Sequence, residues 1–135
     1  VKIAAICVAV LMCNSCKKEE VYTTYERPSW AVVSANAYVS MTAVLSLPSS
    51  LAHSQGDDDI VAAFIHDECR GVATQTDGLF FINISGTPDE EGDVTFKYYN
   101  AQNSYMYQSK EPETFEENKI LGSADEPYEL TLNVL

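Results

Sequence analysis

The amino-acid sequence predicts an all-β fold, an antiparallel β-sandwich of the broad immunoglobulin-like class with about seven strands. Three observations predict it. Apolar residues recur with a period of two in several short runs. Gly56, Gly78, Gly86, Gly92 and Gly122, with Pro48, Pro88, Pro112 and Pro127, fall between those runs, where strands end and turns begin. No long segment carries the 3.6-residue period of an amphipathic helix, and no repeat of solenoid length is visible.

The chain opens outside this pattern. Residues 3–12 are an unbroken apolar run preceded by Lys2, too short for a permanent bilayer span and of the length of a signal-peptide core. The run ends in Leu11, Met12, Cys13, Asn14, Ser15, Cys16, and Lys17, Lys18, Glu19 and Glu20 follow. This boundary resembles a bacterial lipobox. The small Ser15 directly before Cys16 favours Cys16 over Cys13 as the acceptor, although Cys13 occupies the place where such motifs usually have Leu. The resemblance implies that residues 1–15 are removed and that Cys16 carries two or three acyl chains, enough for a durable anchor. Residues 16–29 mix charges with few aliphatics and read as a lipidated tether, leaving 30–135 as the β-sandwich domain.

Within that domain, Val39, Met41, Ala43, Leu45 and Leu47 alternate with Ser40, Thr42, Val44 and Ser46, giving a strand with one apolar and one mostly polar face. Residues 60–65 are continuously apolar, as in a strand covered on both faces. A tight Asp67-Glu68 connection leads to a strand over 69–75, where Gly71 implies a bulge or a close neighbouring backbone. Asp77-Gly78 is the strongest hairpin signal. It opens a strand over 79–85 with Phe80, Ile82 and Ile84 on one face. Val94, Phe96 and Tyr98 mark the next strand, 105–109 a shorter one, and Leu130, Leu132 and Val134 the last. A short helical turn is expected around residues 114–118.

Composition narrows function. The 135 residues carry 8 Lys plus Arg against 20 Asp plus Glu, a formal net charge of −12. Nucleic acid and anionic membrane surfaces reward the opposite sign, so neither is an expected partner and membrane contact is expected through the lipid alone. With 46% hydrophobic residues the chain can still bury a core. Cys7 and Cys13 leave with the signal and Cys16 is consumed by lipid, so Cys69 stands alone and a disulfide scaffold is excluded. A buried, inert thiol is the expectation for it.

The stretch Gly56, Asp57, Asp58, Asp59, Ile60, Val61, Ala62, Ala63, Phe64, then Glu68, Cys69, Arg70, Gly71, Val72, Ala73, resembles a β-sandwich module of surface lipoproteins and secreted proteins of Bacteroidota-type bacteria. Gly92 to Tyr98 and Leu121-Gly122-Ser123 with Pro127 extend the likeness over roughly residues 38–135. The resemblance implies an extracellular accessory or adhesion module without chemistry of its own. Together with the anchor, it implies residence on the bacterial outer membrane, facing outward. In a bacterial host the Asn83-Ile84-Ser85 sequon carries no glycan.

Candidate sites are few. Asp57, Asp58 and Asp59 are the one dense acidic loop beside a core strand, and calcium takes several carboxylate oxygens. Consecutive residues at a strand edge point in opposite directions, and no Asp-x-Asp-x-Asp-Gly loop is present, so a charged turn is the competing reading. Trp30, Tyr99, Tyr105 and Tyr107 could offer ring faces to a glycan, or could simply pack across strands. His53 and His66 are the only histidines, and no nucleophile elbow, metal-spaced pair or phosphate loop accompanies them, which points away from catalysis. The expected function is non-catalytic binding of an extracellular glycan or cell-surface protein, with no cofactor other than calcium in view. An assembly subunit pairing through an exposed edge strand is the alternative.

Overall fold

A computed structural model describes residues 21–33 and 36–135. The signal segment, Cys16 and Lys17 to Glu20 lie outside the described residues. Among those described, the chain forms β1 (Val39–Ser46), the single helical turn α1 (Ser49–Ala52), β2 (Ile60–Ile65), β3 (Glu68–Val72), β4 (Thr74–Thr76), β5 (Leu79–Gly86), β6 (Asp93–Asn100), β7 (Tyr105–Ser109), β8 (Glu113–Thr114), β9 (Ile120–Leu121), β10 (Tyr128–Glu129) and β11 (Leu132–Val134). Two sheets pack face to face, and the chain is the all-β sandwich its periodicity predicts. Sheet I runs β10-β1-β5-β4, with β9 also on β1; sheet II runs β11-β7-β6-β2-β3, with β8 on β6.

The core forms where the alternation places it. Met41, Ala43 and Leu45 of β1 and Phe80, Ile82 and Ile84 of β5 face Val61, Ala63 and Ile65 of β2 and Val94, Phe96 and Tyr98 of β6, all buried. Burying side chains of this size stabilises by about 1.5–3 kcal/mol each before chain entropy is counted. β2 is apolar on its other face as well, and there Ala62 and Phe64 form a second small cluster with Cys69 and Trp30.

That second cluster explains why the predicted tether does not hang free over the length described. Residues 21–33 lie extended across the outer face of sheet II. Tyr25 donates its backbone N–H to Ser104 O (2.8 Å) and Val33 its N–H to Cys69 O (2.9 Å). The Tyr99 hydroxyl donates to Tyr25 O at 3.2 Å, and Arg27 Nη1 to Asp58 O at 2.7 Å. Trp30 meets Phe64 edge to face, ring centroids 5.4 Å apart, and so covers the apolar strip that β2 would otherwise expose.

Four sequence expectations need correction. The strand predicted over 69–75 is two strands: β3 pairs with β2 in sheet II, and β4 pairs with β5 in sheet I. The chain crosses at Ala73, whose N–H still donates to Val61 O (2.8 Å). The closing strand likewise divides into β10 in sheet I and β11 in sheet II. The pairing is not wholly antiparallel, because β9 and β10 both run parallel to β1, at Thr42–Ala43 and Leu45–Ser46. They are one edge interrupted by residues 122–127. Gly122 makes the interruption possible: its φ is +73°, and a Cβ there would lie 2.6 Å from both Val44 O and Tyr128 N. Finally, residues 114–118 hold no helix; the one helical turn described follows Pro48 instead.

Both hairpins are tight, the second at Asp77-Gly78 as predicted and the first at His66-Asp67, one residue before the expected Asp67-Glu68, because Glu68 already pairs with Ile65. His66 and Asp67 between β2 and β3, and Asp77 and Gly78 between β4 and β5, all have positive φ. Two-residue loops in that conformation match the right-handed twist of the strands they join. Gly71 is the predicted close approach. A Cβ at this position would overlap the backbone carbonyl oxygen of Asn83 and stand 3.1 Å from Ile82 Cγ1.

Candidate functional site

An open groove of about 670 Å³ lies on the outer face of sheet I. Its floor follows from strand register. Ala43 and Ile82 point into the core, so their neighbours Thr42, Val44, Phe81 and Asn83 point out. Pairing sets Val44 beside Phe81 and Thr42 beside Asn83, and Phe81 is in turn opposite Thr74 of β4. Ser85 continues the floor, while Val32 and Val72 supply one wall. On the far side Ile120 pairs with Thr42 and is 75% exposed.

Phe81 is 37% exposed, so the middle of the groove presents part of an aromatic ring to solvent. Around it stand hydroxyl and amide groups, and no side chain lining the groove is ionisable. The floor had a signal in the sequence: Val44 in β1 and Phe81 in β5 are apolar residues inside the outward, mostly polar phase of their strands. They prove to be directly paired, which one-dimensional periodicity does not reveal.

The aromatic residues singled out in the sequence do not form a platform. Tyr98 and Tyr107 are paired across β6 and β7, so Tyr107 follows Tyr98 inward; the rings stack 5.5 Å apart. Burial pushes the Tyr107 hydroxyl pKa up. Tyr105, on the same face, packs at the border of the core against Tyr22, centroids 5.2 Å apart. Tyr99 lies on the opposite face, buried beneath residue 25, and Trp30 is half buried on Phe64. Ordinary packing accounts for all four.

The acidic loop also divides. Asp59 turns inward, where Oδ2 accepts from the Tyr98 hydroxyl (2.6 Å) and Gly56 N–H (2.9 Å), and Oδ1 from Ala101 N–H (2.9 Å). Burial, and then the Asp59 carboxylate it bonds, drive the Tyr98 pKa far above that of a free phenol. Asn100 completes the network by donating to the Tyr98 hydroxyl (3.0 Å) and to Ser54 O (3.0 Å). Asp57 and Asp58 stay exposed. The three carboxylates therefore do not converge, and among the described residues no cluster of His, Cys, Asp or Glu is placed to hold a metal ion.

Two further groups are explained by their surroundings. Arg70, almost wholly buried, pairs with Glu90 and with Glu68 (3.1 Å), and Nη1 also donates to Ser85 O (3.2 Å). The hydrogen bond from Arg70 holds the Glu90 carboxyl below the usual range, so this link between β3 and the loop before β6 persists in moderate acid. Burial raises the Cys69 thiol pKa, which suits the inert role expected of it.

No protein-family profile, curated protein or solved structure matches this chain.

Proposed function

We propose that the chain is a lipid-anchored, surface-exposed module of a bacterial outer membrane that binds an extracellular glycan without catalysis, and that the groove on sheet I is its binding site. One observation carries the binding half: a partly exposed aromatic ring, Phe81, flanked in register by Thr42, Thr74 and Asn83. One face of a sugar ring is lined by C–H groups that pack on an aromatic face, while its hydroxyls seek neutral donors and acceptors. The groove offers both, at a volume typical of small-ligand sites. The anchoring half rests on Ser15-Cys16 at the end of the apolar run.

The edge-pairing alternative finds less support. The outer strands of sheet I are β4, of three residues, and the interrupted β9 and β10, of two each. In sheet II, β11 has three residues, and the five-residue β3 already has Val33 hydrogen-bonded at Cys69. Short edges are a common protection against strand addition.

Glycan-array screening followed by calorimetry tests the binding. Phe81→Ala should weaken the best ligand by roughly tenfold or more and lower the melting temperature by only several degrees, leaving the domain folded at the temperature of the measurement, since the ring is partly in water and lies outside the core. Undiminished affinity would remove the groove from the reading. For the anchor, Cys16→Ala should abolish palmitate incorporation and membrane-fraction recovery and leave the domain folded; persistent labelling that instead disappears in Cys13→Ala would assign the lipid to the other cysteine.

A further inference from the structure

We propose that the groove selects uncharged glycans and rejects those bearing uronate, sialate or sulfate groups, an inference that rests on the glycan reading above and adds the class of sugar. Recognition of an anionic sugar needs a cation free to meet it. None of the groove's lining side chains is charged. The described cations are engaged or lie elsewhere. Arg70, whose guanidinium reaches Ser85 O behind the floor, is neutralised by Glu90 and Glu68. Lys119, next to the outlying Ile120, is held by Glu113 (3.5 Å) and Thr114 O (3.2 Å). Arg27 is bound to Asp58 O, Lys97 stands over the Phe64 ring on the outer face of sheet II, and Lys110 follows β7 in that sheet, with its backbone N–H on Thr131 O. Around this neutral floor the chain carries a net charge of −12, whose field opposes the approach of any anion.

The test is a binding series with neutral gluco-, manno- and xylo-oligosaccharides against uronic-acid and sulfated oligosaccharides of matched length, at low and at physiological salt. Neutral ligands should bind with affinity that changes less than about twofold with salt, and should weaken by roughly tenfold or more in Phe81→Ala. Anionic ligands should fail at both salt concentrations. Thr74→Lys, which places a free ammonium at the groove edge, should make anionic binding measurable. Anionic sugars held by the unmodified protein as tightly as neutral ones would overturn the selectivity and leave the glycan reading standing. If neither class binds, the glycan reading itself fails, and this inference with it.

Discussion

Gly71→Ala is expected to destabilise the domain by about 3 kcal/mol or more, lowering its melting temperature by roughly 10 °C. The added Cβ would overlap the carbonyl oxygen of Asn83, and that oxygen belongs to the backbone of β5. It cannot rotate away as a side chain would. Relief requires β3 and β5 to separate where Ile82 packs into the core, which opens a void as large as the clash it removes. Gly56→Ala is the control, because nothing lies within 4 Å of a Cβ there. That substitution should be neutral or slightly stabilising, since alanine restricts the unfolded chain. Thermal and urea unfolding of both variants checks the contrast, and a Gly71→Ala protein melting within a degree or two of the parent would mean that the two strands are not in this contact.

The second large effect is expected at Asp59, and nearly none at its two neighbours. Asp59→Ala removes the acceptor of the Tyr98 hydroxyl and of the Gly56 and Ala101 N–H groups, in a place where water does not readily replace it. A hydrogen bond to a charged group is worth about 1.5–3 kcal/mol, and a buried donor left unpaired costs a further about 1–3 kcal/mol, so a loss of roughly 3 kcal/mol or more follows. Asp57→Asn and Asp58→Asn should each stay within about 0.5 kcal/mol of the parent, since both side chains are exposed and Arg27 bonds the backbone of Asp58, not its carboxylate. Urea titrations of the three variants decide it. Equal losses at all three positions would show that the carboxylates act together after all. Replacing all three by Asn is therefore expected to destabilise, whereas a merely charged turn would have gained from the relief of repulsion.

The strands that could be read from the sequence are those whose two faces differ in chemistry. In β1, β5 and the first half of β6 buried residues alternate with more exposed, mostly polar ones, and β2 is apolar throughout because it is covered on both sides. The crossings at Ala73 and around Leu130 were hidden for a physical reason. A residue facing the interior from one sheet and a residue facing it from the other are equally apolar, so alternation continues unbroken while the chain changes sheets. Leu130 and Leu132 show this, lying on opposite sides of such a crossing and both against the same core. The strap at residues 21–33 was hidden too, because its attachment relies on hydrogen bonds that involve main-chain atoms and on scattered single side chains, Tyr22, Arg27 and Trp30, which follow no strand period.

The candidate site was half legible. Strand alternation places Tyr105 and Tyr107 on one face of β7, but only the pairing of Tyr107 with Tyr98 determines that this face is the interior. The inward turn of Asp59 was not legible, because Asp57 and Asp58 form a turn and Asp59 precedes β2, where strand alternation does not yet operate; its position is set by the Tyr98 hydroxyl and the Gly56 and Ala101 N–H groups it accepts from. Phe81 is the instructive omission. It lies between two core residues in an unbroken Leu79-Phe80-Phe81-Ile82 run, where a continuous apolar stretch masks the one ring that faces out.

The two crossings also govern how the domain comes apart. Because β3 continues into β4 across one residue and β10 into β11 across two, the sheets are stitched together at two places in the chain by connections too short to give, in addition to the longer loops that also cross between them. Neither layer is then a foldon of its own, since peeling sheet I away must pull on the ends of sheet II. Slowly exchanging amides in β1, β2, β5 and β6 should thus report a single opening free energy, equal to that of global unfolding, and only the strap and the exposed loops should exchange by smaller excursions.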